Sequence, residues 1–467
     1  MKPVQPLIEE LDPAPPPWAL ARALARLPHL LFLDSAGGPA HLTRYSYLTA
    51  DPFAWLCVQG PSSAQPFDML SEALAHWRTE PAANAPPFQG GAAGLFGYGL
   101  AHWLEKLPPP RADEFRVPDL AVGLYDWVIA WDHVRDRAFL ISTGFPETHE
   151  PKRKERACAR LDATRTLFRD TDWQRAEAAP AERFRPEALF PLSIRPGVFS
   201  NFDQPAYLSA VRRAVEYTHA GDCFQVNLSQ RLLAPATIAP LELYGRLRER
   251  NPAPFAGFFD LGDFQIASAS PERFLHLRPD GFTHTHPIKG TRPRGKSIDD
   301  DRALIRELLD SPKDRAENVM IVDLLRNDLG RVCEYGSVAV AEVCRLETYP
   351  TVHHLVSTVQ GRLRSGLTAV DLLKAAFPGG SVTGAPKVRA MQIIAELEPT
   401  ARGAYCGSLG WLGFNGAMDS NILIRTFTAG GGWFQFPVGG GIVADSDPQR
   451  EYEETLHKAA GLLRALE

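Results

Sequence analysis

The stretch His286-Pro287-Ile288-Lys289-Gly290-Thr291 places a single lysine between an apolar residue and a glycine. Proline fixes its own backbone φ angle, and glycine adopts conformations closed to other residues, so the backbone can approach a ligand closely here. A lysine amine held in such a place loses water, which lowers its pKa and favours the neutral, nucleophilic form. An arbitrary Lys-Gly pair is more often a solvated surface turn. The rest of the chain must therefore decide between a nucleophile and a surface lysine.

The composition favours an enzyme that acts on a small molecule. Hydrophobic residues make up 45% of the 467 residues and charged residues 22%, which is typical of globular proteins rather than of disordered or membrane-spanning chains. The 50 Lys and Arg residues against 55 Asp and Glu residues leave a formal charge of −5, so the chain lacks the basic footprint of a nucleic-acid-binding protein. No nucleic acid partner is expected.

The sequence also predicts a cytoplasmic protein without a membrane segment. Its N-terminus leads into acidic and proline-rich sequence rather than an apolar signal core, and no stretch approaches the roughly 18 apolar residues of a membrane span. The six cysteines are scattered without a C-x-x-C pair, which indicates neither a zinc site nor a disulfide framework and fits a reducing compartment.

Hydrophobic periodicity divides the chain near residues 170–201, where the pattern fades into Ala, Pro, Arg and Glu. The glycine-dense stretch 90–98 does not read G-x-G-x-x-G, so it favours close backbone packing over a dinucleotide site. The other predicted elements are a strand over 30–35, paired strands over 120–131 and 138–143, helices over 147–169, 205–220 and 315–329, and a hairpin of 255–260 with 264–270.

Two of the later helices carry carboxylates. Glu317 lies early in the helix over 315–329, and Asp447, followed by proline, begins another helix on which Glu451, Glu454 and Lys458 share one face. From spacing alone, a solvated charged face with a Glu454–Lys458 pair is the commoner outcome. The alternative is a cation held by carboxylates from both helices, and oxygen-only ligands of this kind favour Mg²⁺.

Segments rich in glycine offer sites for an anion. The backbone N–H groups of the run Gly439-Gly440-Gly441 can bind one, and Arg425 can pair with a carboxylate through two parallel hydrogen bonds. The loop from Gly379 to Lys387 is only a weak phosphate-loop lookalike, because it lacks the G-K-[ST] order.

Six motifs in order make a specific resemblance. They are Ser270-Pro271-Glu272-Arg273, Pro287-Ile288-Lys289-Gly290-Thr291, Asp314-Arg315-Ala316-Glu317-Asn318, Asp323-Leu324-Leu325-Arg326-Asn327-Asp328, Gly384-Ala385-Pro386-Lys387, and Glu451-Tyr452-Glu453-Glu454 through Lys458. Together they resemble the chorismate-utilising enzymes, which include anthranilate synthase large subunits and isochorismate and salicylate synthases. The resemblance is strong over residues 200–467 and weaker before them.

The resemblance implies an α/β (α+β) fold, namely the large anthranilate-synthase-like fold with two packed antiparallel sheets flanked by helices. It also implies an N-terminal family region, 1–180, that contributes to the sheets and a chorismate-binding catalytic region, 195–467. The alternative is that the two form one structural unit. Mg²⁺ is the implied cofactor.

Two positions separate the activities within the family. Anthranilate synthases resemble this sequence but carry alanine at the position of Lys289, and isochorismate-forming relatives place a lysine base at the position of Gln225. The resemblance therefore implies an aminotransferase-type conversion of chorismate and ammonia to 4-amino-4-deoxychorismate, through a covalent Lys289 intermediate, for p-aminobenzoate and folate synthesis. An anthranilate synthase large subunit and a non-catalytic regulatory binding subunit remain as alternatives.

The same resemblance assigns roles to the residues that match family motifs. Lys289 would be the nucleophile and Glu272 the protonated acid, and His354 matches an active-site histidine. The other implied residues are the Mg²⁺ ligands Glu317, Glu454 and Glu451, and the substrate-binding residues Gly290, Thr291, Tyr405, Arg425, Gly441 and Lys458.

Partners follow from the same comparison of motifs. The chain lacks the G-x-C-x-G-like nucleophile setting of a glutaminase, so ammonia is expected from a separate glutamine amidotransferase subunit. The segment ending at Ser35 resembles part of a tryptophan pocket, although a plain strand end is equally consistent with it. His286 departs from the arginine or lysine expected before the proline in many relatives.

Overall fold

The computed structural model describes residues 3–60, 64–169, 184–349 and 352–467. Its strands are β1 (Leu7–Leu11), β2 (Leu31–Asp34), β3 (Tyr45–Thr49), β4 (Ala54–Val58), β5 (Gly91–Phe96), β6 (Leu120–Tyr125), β7 (Trp127–Asp132), β8 (Arg137–Ser142), β9 (Phe190–Pro191), β10 (Phe199–Ser200), β11 (Gln225–Pro235), β12 (Phe255–Asp260), β13 (Gln265–Ser270), β14 (Arg273–Leu277), β15 (Phe282–Thr285), β16 (Ile288–Pro293), β17 (Ala339–Thr348), β18 (Val352–Arg362), β19 (Gly384–Ala385), β20 (Ser408–Gly413), β21 (Met418–Asn421), β22 (Thr426–Gly430) and β23 (Trp433–Ile442).

The helices begin where proline or a capping side chain permits it. Asp203, Ser297, Ser311 and Asp447 each accept a hydrogen bond from a backbone N–H of the first turn that follows. The helices are α1 (Pro17–Ala23), α2 (Pro66–His76), α3 (Ala101–Leu104), α4 (Lys152–Arg169), α5 (Gln204–His219), α6 (Pro240–Arg250), α7 (Ile298–Asp310), α8 (Pro312–Gly330), α9 (Ala369–Ala376), α10 (Lys387–Leu397) and α11 (Pro448–Ala465).

Within the described residues the strands form two antiparallel sheets. The first has 13 strands in the order β1-β8-β7-β3-β2-β12-β13-β22-β23-β11-β10-β9, with β19 paired to β11. The second has ten in the order β16-β18-β15-β14-β21-β20-β5-β6-β4, with β17 paired to β18. Strands from before and after residue 190 lie side by side in both sheets, because β2 pairs with β12 and β5 pairs with β20.

The sheets pack face to face and helices cover their outer faces. One buried cluster joins the inner faces, with Leu31 and Phe259 from the first sheet and Leu95 and Trp411 from the second. Helices α6 and α11 contribute to the apolar cluster behind the first sheet, and α8 and α9 to the cluster behind the second. This architecture confirms the fold class that the sequence predicts.

Several predicted elements are confirmed and two need correction. The hairpin of β12 and β13, the helix α5 and the helix α8 lie where the sequence predicts them. The predicted strand over 120–131 is wrong as a single strand, because the chain leaves the second sheet after β6 and enters the first as β7. Buried Asp126 stands at this corner and pairs with Arg160 at 3.2 Å. Helix α4 begins only after Pro151, five residues later than predicted.

The glycine-rich stretch provides the close backbone packing that the sequence predicts. Strand β5 is buried along its whole length between β20 and β6. A Cβ at Gly94 would lie 2.2 Å from the carbonyl oxygen of Ala121, so only glycine fits there. Of the predicted boundary over 170–201, residues 170–183 lie outside the described residues. No helix in the described ranges is long and apolar enough to cross a membrane.

Candidate active site

Lys289 lies at an irregularity of strand β16. The pairing of β16 with β18 is regular on either side but shifts register between Ile288 and Thr291, and a bulge of this kind turns a side chain away from the ladder. Gly290 has φ +86°, and a Cβ there would lie 3.1 Å from Cβ of Asp314 at the start of α8. Glycine is therefore required both by the turn and by the close approach of α8.

The surroundings of Lys289 bring several charged groups together. Partial loss of water lowers the pKa of its amine; the carboxylate of Glu317 opposes this effect, the charge of Lys458 adds to it, and Glu272 and Glu454 oppose it more weakly. The carboxylates come from the β13–β14 connection, α8 and α11. Elements distant in the chain thus converge on one amine, whose role as a nucleophile stays a prediction.

Glu272 is buried between β13 and β14, with 5% of its surface exposed. Burial raises its pKa to about 7, although a hydrogen bond from Ser381 and the charge of Lys289 act in the opposite direction. The Ser381 hydroxyl donates to Oε1 of Glu272 at 2.6 Å. A carboxyl group with this pKa can hold a proton at neutral pH and release it to a leaving group.

The first prediction concerns the pH dependence of turnover. If protonated Glu272 is the acid, kcat/KM should fall as the pH rises above about 7, measured with free ammonia held constant. In Ser381→Ala the ionised form of Glu272 loses a hydrogen-bond donor, so the pKa of Glu272 rises. The decrease in kcat/KM should then occur at a pH roughly one unit higher. Ser381→Thr keeps the hydroxyl and should retain the wild-type profile. If kcat/KM fell at the same pH in Ser381→Ala as in the wild type, the assignment of Glu272 as the acid would be contradicted.

A row of side chains runs across neighbouring strands beside Lys289. Thr291 on β16 lies opposite His354 on β18, and Thr291 Oγ1 and His354 Nδ1 are 2.8 Å apart. His354 is buried, and its Nε2 atom has no hydrogen-bond partner among the described residues. Burial lowers the pKa of His354 to about 3, so the imidazole is neutral. The free nitrogen is therefore available to a ligand.

Helix α11 packs its acidic face on the glycine run of β23. A Cβ at Gly440 would lie 3.3 Å from Oε2 of Glu451 and 3.5 Å from Oε1 of Glu454. Lys458 Nζ donates to Glu454 Oε1 at 2.7 Å and to the carbonyl oxygen of Gly439 at 2.9 Å. The Glu454–Lys458 pair expected of a surface helix is present, and the two side chains are 51% and 43% exposed. Their charges nevertheless act on Lys289.

The carboxylates fit a partial Mg²⁺ site. Burial raises the pKa of Glu317; the charges of Lys289 and Lys313 lower it, and the charge of Glu454 raises it more weakly. Burial also raises the pKa of Glu451, which accepts a hydrogen bond from Ser446 at 2.7 Å. Within the described residues no three His, Cys, Asp or Glu side chains stand close enough for a complete metal site. Mg²⁺ commonly takes one or two carboxylates and completes its shell with water and substrate, so Glu317 and Glu454 suit it.

Arg425 and Gln225 are suited to binding an anion. Arg425 precedes β22 with φ +52°, and burial lowers its pKa, an effect that Tyr349 and Glu272 oppose. Gln225 is fully buried, and neither polar atom of its amide has a partner among the described residues. A Cβ at Gly441 would lie 2.7 Å from Gln225 Nε2, so the amide faces the glycine backbone. These unsatisfied donors can receive a carboxylate.

Tyr405 is placed less directly. It is buried in the turn before β20, next to Cys406. Burial raises the pKa of the Cys406 thiol, and the negative charge of Glu272 raises that pKa slightly more. The contact of Tyr405 with substrate stays a prediction.

The sequence interpretation missed two residues of this interior, Ser381 and Tyr349. Ser381 lies in the Gly379–Lys387 loop, where a Cβ at Gly380 would lie 2.6 Å from Cδ2 of Leu324 on α8. Serine between glycines in a buried loop is the signal that was available. Lys387 does not act as a phosphate-loop lysine, because it is buried and pairs with Asp328 at 2.7 Å.

The two facing sheets and their polar interior suit an enzyme that binds a small anionic molecule. Comparison with known proteins makes this specific, since residues 41–464 match the family described as chorismate binding enzyme, and the chain belongs to that family.

Two kinds of enzyme are among the most similar relatives. The chain is 43% identical over 457 residues to aminodeoxychorismate synthase component 1 of Klebsiella aerogenes, with 95% of each protein covered. It is 45% identical over 385 residues to anthranilate synthase component 1 of Thermus thermophilus, covering 82% of this chain and 79% of the relative. A solved structure of anthranilate synthase component I from Streptococcus pneumoniae has a TM-score of 0.76 at 33% identity, with 90% of this chain and 92% of that one covered.

Proposed function

We propose that this protein is the chorismate-aminating component of an aminodeoxychorismate synthase, which makes 4-amino-4-deoxychorismate from chorismate and ammonia for p-aminobenzoate and folate synthesis. The observation that carries the proposal is Lys289, a partly desolvated amine at a bulge beside a carboxyl group with a pKa of about 7. Relatives with that name match the whole chain at about 40% identity.

In the proposed reaction neutral Lys289 attacks C2 of the chorismate ring. The ring double bonds shift, and the C4 hydroxyl leaves as water with the proton that Glu272 supplies. Ammonia then adds at C4, the double bonds shift back, and the C2–nitrogen bond to Lys289 breaks. The electron pair of that bond returns to the lysine nitrogen, which leaves as the neutral amine. Ionised Glu272 takes the proton that the added ammonia loses and so regains its acid form.

Binding is proposed to fix both carboxylates of the substrate. Glu317 and Glu454, with Glu451 nearby, would hold Mg²⁺, whose positive charge would neutralise the ring carboxylate. Arg425, the backbone at Gly441 and Tyr405 would receive the other carboxylate. Holding a dianion at two ends places C2 near the lysine, and such positioning accounts for a large part of enzymatic rate enhancement.

Product identity tests the function. The purified protein given chorismate, Mg²⁺ and an ammonium salt should form 4-amino-4-deoxychorismate, resolved by chromatography and mass. With glutamine in place of ammonium it should form none until a glutamine amidotransferase subunit is added. Fluorescent anthranilate as the main product would instead support the anthranilate synthase alternative that the Thermus relative raises.

A separate cavity is proposed to bind tryptophan. It has a volume of about 250 Å³ and lies between the sheets, with Ser35, Asp34 and Arg273 among its polar lining and Tyr47 and Trp411 among its aromatic lining. Aromatic walls with carboxylate and guanidinium groups suit an aromatic amino acid.

Calorimetry should detect tryptophan binding to the wild-type protein and weaker or no binding of leucine. Ser35→Leu puts a larger side chain into the cavity lining and removes the hydroxyl that donates to the Tyr45 carbonyl at 2.6 Å. It should weaken tryptophan binding at least about tenfold. Ser209→Leu, the same change at an exposed position of α5, should not. Equal affinity in all three proteins would place tryptophan elsewhere.

A further inference from the structure

Tyr349 lies in the active-site interior although no motif of the chain draws attention to it. It is buried with 5% of its surface exposed, and its ring meets the ring of His354 edge to face, with the centroids 5.2 Å apart and the planes at 74°. Tyr349 also shares a small cavity with Pro271 and Arg425. It therefore stands between the neutral imidazole and the guanidinium proposed to bind substrate.

Glu347 anchors Tyr349 through a hydrogen bond to its hydroxyl group. The Tyr349 hydroxyl donates to Glu347 Oε2 at 3.1 Å, and Arg345 donates to the other oxygen, Oε1. His41 Nε2 lies 3.4 Å from the same Oε1 atom. With both oxygens engaged in a side chain that is only 5% exposed, the carboxylate has little freedom to move.

Sheet register places the acceptor and the imidazole side by side. Glu347 on β17 is directly opposite His354 on β18, which is itself directly opposite Thr291 on β16. Residues directly opposite each other in antiparallel strands project on the same face. Glu347, His354 and Thr291 thus form one row, and Thr291 fixes His354 through Nδ1 from one side. The Tyr349 ring contacts the imidazole of His354 from another direction and limits its movement.

We propose that Tyr349, anchored by Glu347, is a positioning residue that holds the imidazole of His354 toward the substrate. This inference rests on the proposed function for the identity of the substrate but not for the contacts. The hydrogen bond between Thr291 Oγ1 and His354 Nδ1 alone leaves the imidazole ring free to rotate about that hydrogen bond. The edge of the Tyr349 ring removes that freedom, and the bond to Glu347 keeps the Tyr349 ring in place.

The test is a double-mutant cycle with turnover as the readout. Tyr349→Phe keeps the ring but loses its anchor, and it should lower kcat about tenfold with little change in the KM for chorismate. In a His354→Ala background the same change should lower kcat less than about twofold, because the residue on which it acts is gone. Glu347→Gln keeps an acceptor for the tyrosine and should retain more activity than Glu347→Ala. Tyr335→Phe, at a fully exposed tyrosine, is the matched control.

A second readout does not depend on turnover. The imidazole proton resonance of His354, assigned by its absence from His354→Ala, should shift in Tyr349→Phe and in Glu347→Ala but not in Tyr335→Phe. A tenfold loss in both backgrounds, or no loss in either, with an unmoved resonance would overturn the proposal. If the wild type makes anthranilate or no product, the proposed function fails, and the resonance still decides whether Tyr349 positions His354.

Discussion

Lys289→Ala should abolish formation of 4-amino-4-deoxychorismate, lowering kcat/KM at least about 10³-fold, because the covalent route loses its nucleophile. Ammonia can still attack C2 directly once Glu272 protonates the leaving hydroxyl, so traces of a 2-amino product should appear instead. Chorismate binding should survive, since the groups proposed to hold the two carboxylates are unchanged. Product analysis by chromatography and mass measures both outcomes.

The matched control is Lys296→Ala, an exposed lysine seven positions further along the chain. It should retain wild-type rates and products. If Lys289→Ala remained fully active for the 4-amino product, the lysine would not be the nucleophile, and only membership of the chorismate binding family would stand.

The second large effect concerns the carboxylates on α8 and α11. Glu317→Gln and Glu454→Gln should each lower kcat/KM at low Mg²⁺ by roughly 10²- to 10³-fold, because a lost carboxylate ligand removes several kcal/mol of charge stabilisation. Part of the loss should be recovered as Mg²⁺ is raised, since the remaining carboxylate can still bind the ion. A chelator should abolish the activity of the wild-type protein, and added Mg²⁺ should restore that activity.

Glu453→Gln provides the control on the same helix. Glu453 is exposed beside Glu454 and accepts a hydrogen bond from Gln449 at 2.8 Å. Its loss should leave both the rate and the Mg²⁺ dependence unchanged. A wild-type protein that is equally active in excess chelator, or a Glu454→Gln variant with an unaltered Mg²⁺ requirement, would contradict the proposed metal site.

Local chemistry made part of this structure predictable. The N-terminal cap at Asp447 and the hairpin of β12 and β13 are decided by residues close together in sequence, and both lie where expected. The convergence of Lys289 with Glu272 and Glu317 followed from a resemblance of ordered motifs. Periodicity alone would have left Glu451, Glu454 and Lys458 as a surface face, because spacing on one helix does not reveal what the helix packs against.

The unpredicted features depend on contacts between distant parts of the chain. Ser381 and Glu272 are 109 positions apart, and their hydrogen bond exists because the glycine loop packs on α8. The break between β6 and β7 occurs at Asp126, where the chain passes from one sheet to the other. A single aspartate in an otherwise apolar run does not reveal that passage. Tyr349 reaches His354 because β17 and β18 pair in one register.

Mass spectrometry of the denatured protein tests the central claim, that Lys289 forms a bond to the substrate. Wild-type protein mixed with chorismate and Mg²⁺ in the absence of ammonia and then quenched should gain the mass of chorismate less one water. Peptide mapping should place that addition on Lys289, and both Lys289→Ala and a sample given excess ammonium should lack it. An unmodified wild-type protein that still turns over, or an addition on another residue, would contradict the covalent mechanism.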